Sequence, residues 1–364
     1  MLEIHFTNFY LHFVLTTKDN AGNTATRTYT IKKRKIPKVG EIVNYTPDTP
    51  NTGYDLTKEK SGYEYGDQTI DSKYDPKTWK VMEVDENGNI AKLFGVPRND
   101  QSTVGFGDSV GYNNAVYLLN DICKNRYENA SLGATARSLK IEDIESRMNA
   151  TGIAAKNAYE SGTTKYGTTR KFTGRNTQYP LIYAQEKYAG VHRDSQGNLV
   201  EVSDVADGTQ VITGSADATA QAKMNPNGKT QSEDVYTAAT TYKARRASTT
   251  LTCTQTFYGF NNTTSSYFDD TNFHSMIFET RPVLGPGTFF WLASRYVYCD
   301  SSYSYAFFGL RNVNRSNLSG YDLFYSSGSN NSDSYRLAPV VSLGSGIQVK
   351  SGSGTESDPY VIGK

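Results

Sequence analysis

From residue 288 onward, short apolar runs alternate with clusters of small and amphipathic polar residues, and this pattern constrains the fold more than any other part of the chain. The runs Thr288-Phe289-Phe290-Trp291-Leu292-Ala293-Ser294-Arg295, Phe307-Phe308-Gly309-Leu310-Arg311, Leu323-Phe324 and Leu337-Ala338-Pro339-Val340-Val341-Ser342-Leu343 have the length and residue content of strands. Between them, residues 296–305, 312–321 and 325–335 are rich in Tyr, Ser, Asn, Asp and Gly. Apolar runs of this kind hold a sheet, and polar intervals between them are expected at its surface.

Tyrosine supplies wide, rigid contact area with two rotatable angles, while Ser, Asn and Gly supply adaptable hydrogen bonding. The intervals therefore have the chemistry of a binding face. The expected ligand-binding residues are Tyr296, Tyr298, Asp300, Ser301, Ser302, Tyr303, Ser304, Tyr305, Asn312, Asn314, Arg315, Ser316, Asn317, Tyr321, Tyr325, Ser326, Ser327, Ser329, Asn330, Asn331, Asp333 and Tyr335. From Leu292 to Ile347 there is no Lys, Glu, Gln, Met or Trp. The codons of those five types never end in a pyrimidine, so a block written in NNY codons would lack all of them.

The bias extends to the whole chain of 364 residues, where 27 tyrosines outnumber 16 phenylalanines and 2 tryptophans together. A formal net charge of +1, from 38 basic and 37 acidic residues, provides no field toward nucleic acid or an anionic membrane. Apolar runs never approach the roughly 18 residues of a membrane span, so no membrane insertion is expected. Cys123, Cys253 and Cys299 are far apart and form no CxxC pair, which argues against a zinc ribbon or a disulfide scaffold.

Upstream, the strands Phe13-Val14-Leu15-Thr16-Thr17 and Thr28-Tyr29-Thr30-Ile31 flank a turn at 18–23. A second hairpin joins Trp79-Lys80-Val81-Met82-Glu83-Val84 to Ile90-Ala91-Lys92-Leu93-Phe94. Between the two hairpins, Lys32-Lys33-Arg34-Lys35-Ile36-Pro37-Lys38 reads as a solvated linker, and the main domain is expected to begin at Val39-Gly40-Glu41. Helical spacing places Ala115, Val116, Leu119, Ile122 and Cys123 on one face of a helix over 114–127, with Cys123 as a core thiol. A second amphipathic helix is expected over 139–148, burying Ile141, Ile144 and Met148 and leaving Glu142, Asp143, Glu145 and Arg147 in water. Residues of about 150–250 read as a polar, loop-rich insertion with short strands near Tyr179-Pro180-Leu181-Ile182, 199–202 and 210–212, and a turn at 194–198.

The framework Phe290-Trp291-Leu292-Ala293-Ser294-Arg295, Phe308-Gly309-Leu310-Arg311, Leu323-Phe324 and Arg336-Leu337-Ala338-Pro339-Val340-Val341-Ser342-Leu343 resembles the C-type-lectin-fold variable proteins of diversity-generating retroelements, of the gut Firmicutes or phage type. Weaker likeness extends to Val39-Gly40-Glu41-Ile42-Val43-Asn44-Tyr45, Gly111-Tyr112-Asn113-Asn114-Ala115, 132–139 and Tyr179-Pro180-Leu181-Ile182, and Ala338 stands where an Arg is more usual. In that family, adenine-directed mutagenesis of AAY codons turns asparagines into Tyr, Ser, Asp and similar residues on a fixed scaffold. The turn Asp19-Asn20-Ala21-Gly22-Asn23-Thr24-Ala25 is similar to one in bacterial immunoglobulin-like modules, and Gly354-Thr355-Glu356-Ser357-Asp358-Pro359-Tyr360 resembles a motif at module ends of surface proteins.

The resemblance implies an α+β fold. An immunoglobulin-like β remnant and linker would occupy 1–35, and a C-type-lectin-like domain with two helices and small antiparallel sheets would occupy 36–364, with its variable region at about 295–336. It also implies a piece of a longer surface protein, extracellular or on a cell or virion. Such a protein is expected to be non-enzymatic, with no cofactor and no metal among its site residues, and to bind varied protein or glycan ligands. Met1-Leu2-Glu3-Ile4-His5 has no basic n-region, so no signal peptide is expected there.

The same fold carries formylglycine-generating oxidases, which need a metal-binding thiolate pair, and Cys299 with Cys253 is the only candidate here. An inert structural module is the third reading. The single histidines His5, His12, His192 and His274 have no zinc-binding spacing, and Asp269, Asp270 and Asn272 form a thin calcium candidate. Arg295, Arg311 and Arg336 would either clamp an acidic ligand or satisfy loop carbonyls, and their apolar neighbours favour the second role for Arg295 and Arg311.

Overall fold

The structure, a computed structural model, describes residues 2–6, 10–32, 35–48, 54–55, 69–161, 164–173, 178–180, 212–213, 244–246, 250–259, 264–279, 289–314 and 317–364. The fold is mixed α+β, with much more sheet than helix.

At the N-terminus β1 (Leu2–Phe6), β2 (Tyr10–Lys18) and β3 (Thr24–Lys32) form an antiparallel sheet in that order. The expected hairpin is present as β2 and β3. Its turn and the turn at Asp85 share one mechanism, written in the motif Asp-x-x-Gly-Asn. Asp19 Oδ1 accepts from the amides of Ala21 (2.9 Å) and Asn23 (2.8 Å), and Asp85 Oδ1 accepts from those of Asn87 (2.9 Å) and Asn89 (2.7 Å). The glycine before each asparagine takes a positive φ, 90° at Gly22 and 71° at Gly88, which a side chain resists.

A seven-stranded sheet forms the centre, in the spatial order β10 (Thr135–Ser138), β22 (Pro339–Ser342), β8 (Ile90–Gly95), β7 (Trp79–Val84), β4 (Ile42–Asn44), β24 (Tyr360–Gly363) and β23 (Gln348–Ser351). It joins segments more than 300 residues apart in sequence, because β24 lies parallel to β4 with Tyr360 opposite Val43. The Tyr360 hydroxyl donates to Glu41 Oε2 at 2.7 Å. Lys35 corrects the reading of a wholly solvated linker, since its ammonium sits 4.8 Å from the Tyr360 ring centroid and 3.8 Å from Glu41. Lys33 and Arg34 lie outside the described residues.

Helix α1 (Asp108–Tyr127) covers the core and begins six residues before the predicted helix. Tyr112, Ala115, Leu118, Leu119, Ile122 and Cys123 recur at three- and four-residue spacing and are all buried. Its last turn is anchored by Arg126, whose Nε and Nη2 donate to Asp75 at 2.8 and 2.7 Å. The predicted second helix is cut short to α2 (Ile141–Glu145), and a further helix follows as α3 (Ala150–Ala158), capped by Asn149. Asp143 does not face water. It is buried, pairs with Arg137 of β10 through two 2.6 Å contacts and accepts from the Lys140 amide at the start of α2. A one-turn helix α4 (Thr271–His274) buries Phe273 in a cluster with Ile141, Ile144 and Met148.

The region expected as an insertion contributes β13 (Thr169–Thr173), β15 (Ile212–Thr213) and β17 (Thr250–Thr254) in one sheet, with β17 central. Two-stranded ribbons are formed by β11 (Glu160–Ser161) with β12 (Thr164–Lys165), β14 (Gln178–Pro180) with β16 (Ala244–Arg246), and β5 (Tyr54–Asp55) with β6 (Thr69–Ile70). The predicted turn at 194–198 and strand at 199–202 lie outside the described residues. At the C-terminal end, β18 (Phe289–Tyr298), β19 (Phe307–Asn314) and β20 (Asn317–Tyr325) make an antiparallel meander, and β21 (Ser332–Tyr335) pairs with β9 (Val104–Gly107).

Candidate functional site

The meander strands are longer than the apolar runs suggested. They absorb 296–298, 312–314 and 317–321, so the connection at 299–306 and that at 326–331 carry most of the exposed polar residues. Alternation then sorts the expected binding residues by face. Val297, Phe308 and Phe324 stand opposite one another and point into the core. Tyr298, Phe307 and Tyr325 form the matching row on the other face.

Around that row lies a connected set of rings. Phe307 is at its centre, with Tyr303 at 4.7 Å, Tyr305 and Tyr325 at 5.1 Å and Tyr298 at 5.3 Å between centroids. Most of these contacts are edge-to-face, the arrangement that aromatic quadrupoles prefer. Tyr303 is 40 % exposed, Tyr298, Tyr305 and Tyr325 are half-buried, and Ser301, Ser302, Ser304, Ser327, Ser329 and Asn330 are exposed beside them. Asn331 Nδ2 reaches the Tyr325 hydroxyl at 3.4 Å.

Five expected binding residues are interior instead, each for a local reason. Tyr296 is 2 % exposed; its ring lies across the glycines Gly309 and Gly320, and its hydroxyl donates to Asp322 Oδ1 at 2.6 Å. Asp300 is buried, and its Oδ1 accepts from the amide (2.7 Å) and the hydroxyl of Ser302, which closes the start of the connection. Asn312 is enclosed because it sits mid-strand in β19, between Trp291 and Ser319. Ser326 Oγ accepts from the Ala306 amide at 2.8 Å and ties the two connections together. Tyr335 belongs to the core, 4.1 Å from Trp291 and stacked on Phe289 at 5.2 Å, because β21 pairs with β9.

The remaining expected residues do not gather on one patch. Tyr321 packs against Tyr335 and the core, and Asp333 Oδ2 accepts from the Tyr335 hydroxyl. Asn314 and Asn317 pair at the far end of the β19–β20 hairpin, seven residues along from the Phe307–Tyr325 pair, or roughly 24 Å. Arg315 and Ser316 lie outside the described residues. Sequence reasoning missed the buried Phe307 as the hub of the tyrosine cluster, Phe257 beside Tyr296 and Tyr298, and Asp322. The doublet Phe307-Phe308 carried a usable signal, since adjacent aromatics in one strand must face opposite sides.

The arginines satisfy carbonyls. Arg295 Nε donates to Tyr112 O at 2.6 Å, Arg311 donates to Tyr258 O at 3.0 Å and to Thr256 O, and Arg336 donates to Asn99 O at 2.6 Å. Burial pulls the Arg295 guanidinium down to about 10. Cys123, Cys253 and Cys299 are buried free thiols. Burial pushes the Cys299 thiol up to about 12, Arg170 opposing and Asp300 adding to the effect. Asp270 is spent on capping α4, where it accepts from the amides of Asn272 and Phe273, and His274 is buried between Phe268 and Phe278. Among the described residues no three His, Cys, Asp or Glu side chains are grouped to hold a metal ion, and no helix is long and apolar enough to cross a membrane. Among known protein families, curated proteins and solved structures, none matches this chain.

Proposed function

We propose that this chain is a non-enzymatic ligand-binding display protein with a C-type-lectin-like main domain and an N-terminal immunoglobulin-like remnant, working outside the cell or on a virion. One observation carries the reading: the cluster Tyr298, Tyr303, Tyr305 and Tyr325 around Phe307, bordered by exposed serines and Asn330, stands on three strand ends and the connections beside them, which buried Asp300 and Ser326 hold at their bases. Such a surface can change sequence at little cost, because solvent-facing substitutions typically shift stability by no more than about 0.5 kcal/mol. The absence of Lys, Glu, Gln, Met and Trp from Leu292 to Ile347 supports diversification through pyrimidine-ending codons. The elevated thiol of Cys299 weighs against the oxidase alternative, since thiolate chemistry needs a lowered pKa.

The division between frame and display makes the test narrower than exchange of the whole region. Residues 301–305 and 327–331 from a second natural variant are grafted onto this scaffold while Tyr296, Asp300, Asn312, Ser326 and Tyr335 are retained. The expected result is an unchanged melting temperature with a changed set of bound ligands in a protein and glycan array. Loss of folding, or identical binding by the graft and the parent protein, refutes the reading.

A further inference from the structure

The display face includes one half-buried carboxylate that no positive group of the described residues pairs with. Asp322 stands opposite Gly309, in the row next to Phe307–Tyr325, and accepts the Tyr296 hydroxyl on Oδ1 at 2.6 Å. No ion pair involves it among the described residues. Arg311, whose guanidinium lies 5.9 Å from the Tyr296 ring centroid and 4.2 Å from that of Tyr258, donates to Tyr258 O and Thr256 O and forms no ion pair with Asp322. The other groups facing Asp322 are phenols, Tyr296 and Tyr325. Burial holds the Asp322 carboxyl above the usual carboxylate range, and the carboxylate in turn helps raise the Tyr325 phenol.

A ligand covering these rings would desolvate Asp322 further. A neutral ligand leaves that cost uncompensated and an anionic one adds repulsion, whereas a cation offsets it. Aromatic faces are themselves negative and attract cations. A planar guanidinium does both tasks, stacking on phenol rings and donating to a carboxylate.

We infer that the display face of this variant takes an arginine side chain of a peptide or protein partner, its charge against Asp322 and its stem across Tyr325, Tyr305 and Tyr303. The inference rests on the display reading and names the ligand chemistry of that same face. The probes are a fluorescein-labelled peptide carrying three arginines and the same peptide with citrulline in their place, which keeps the shape and removes the charge. By fluorescence anisotropy at low salt, the arginine peptide is expected to bind at least about tenfold more tightly, ~1.4 kcal/mol. Near-zero net charge of the chain keeps non-specific attraction small. Asp322→Asn is expected to abolish the preference at an undiminished melting temperature, because the amide oxygen still accepts from Tyr296. Tyr303→Ala, at an exposed position, is expected to weaken the arginine peptide. Equal binding of the two peptides, a preference that survives Asp322→Asn, or no binding of the arginine peptide up to about 1 mM overturns the inference. Grafted variants that still exchange ligands would then leave the display reading standing.

Discussion

Tyr296 is expected at the surface from its polar interval yet is buried, and its seat makes a quantitative test possible. A Cβ added at Gly320 would overlap Tyr296 Cε1 and stand only 2.8 Å from Cζ and 2.9 Å from Cδ1. The ring cannot swing away, because Phe257 packs on it at 4.8 Å and its hydroxyl is held by Asp322 at 2.6 Å. Gly320→Ala therefore forces overpacking, about 1–3 kcal/mol, or displaces the ring from its bond to a carboxylate, about 1.5–3 kcal/mol. A loss near 3 kcal/mol is expected, a fall in melting temperature of roughly 6–10 °C by calorimetry. The decisive measurement is the double-mutant cycle. With Tyr296→Ala already in place the collision is gone, and Gly320→Ala should then cost less than about 0.5 kcal/mol. Equal cost in both backgrounds would refute the seat, and with it the assignment of Tyr296 to the frame.

Asp322 predicts a pH dependence whose sign follows from its raised folded-state pKa. A carboxyl with a raised pKa carries no penalty below its unfolded value of ~3.9, and its ionisation costs stability as pH climbs through the folded value. Asp322→Asn should therefore stabilise the protein at pH 7 to 8, with the gain shrinking toward pH 4 in denaturation curves; a gain that grows on acidification contradicts it. Thiol labelling at pH 8 should modify no cysteine of the native protein within minutes and all 3 after denaturation. Rapid native labelling of Cys299 would contradict its burial and elevated pKa.

Local chemistry was legible where a few adjacent residues decide the structure. The two Asp-x-x-Gly-Asn turns, the burial of Cys123 on α1 and the four apolar strand runs of the C-terminal third follow from hydrogen-bonding groups and periodicity within single segments. The burial of Asp143, expected in water, follows from Arg137 six residues earlier, which supplies a partner that makes a buried carboxylate tolerable. The sequence reading of Arg295 and Arg311 as carbonyl donors agrees with the structure because guanidiniums among apolar neighbours must find acceptors.

The order of residues by itself determined that the C-terminal third would hold apolar strand segments separated by intervals rich in Tyr, Ser and Asn, because strand propensity is a property of the local residues. Tertiary structure decided which tyrosines belong to the coat. Tyr296 and Tyr298 are separated by one residue and share a strand face, yet two glycines on neighbouring strands give the first a seat and Phe307 holds the second at the rim. Strand pairing sets that difference, because the seat exists only once β19 and β20 bring Gly309 and Gly320 beside Tyr296 and Phe257, far away in sequence, packs on the ring.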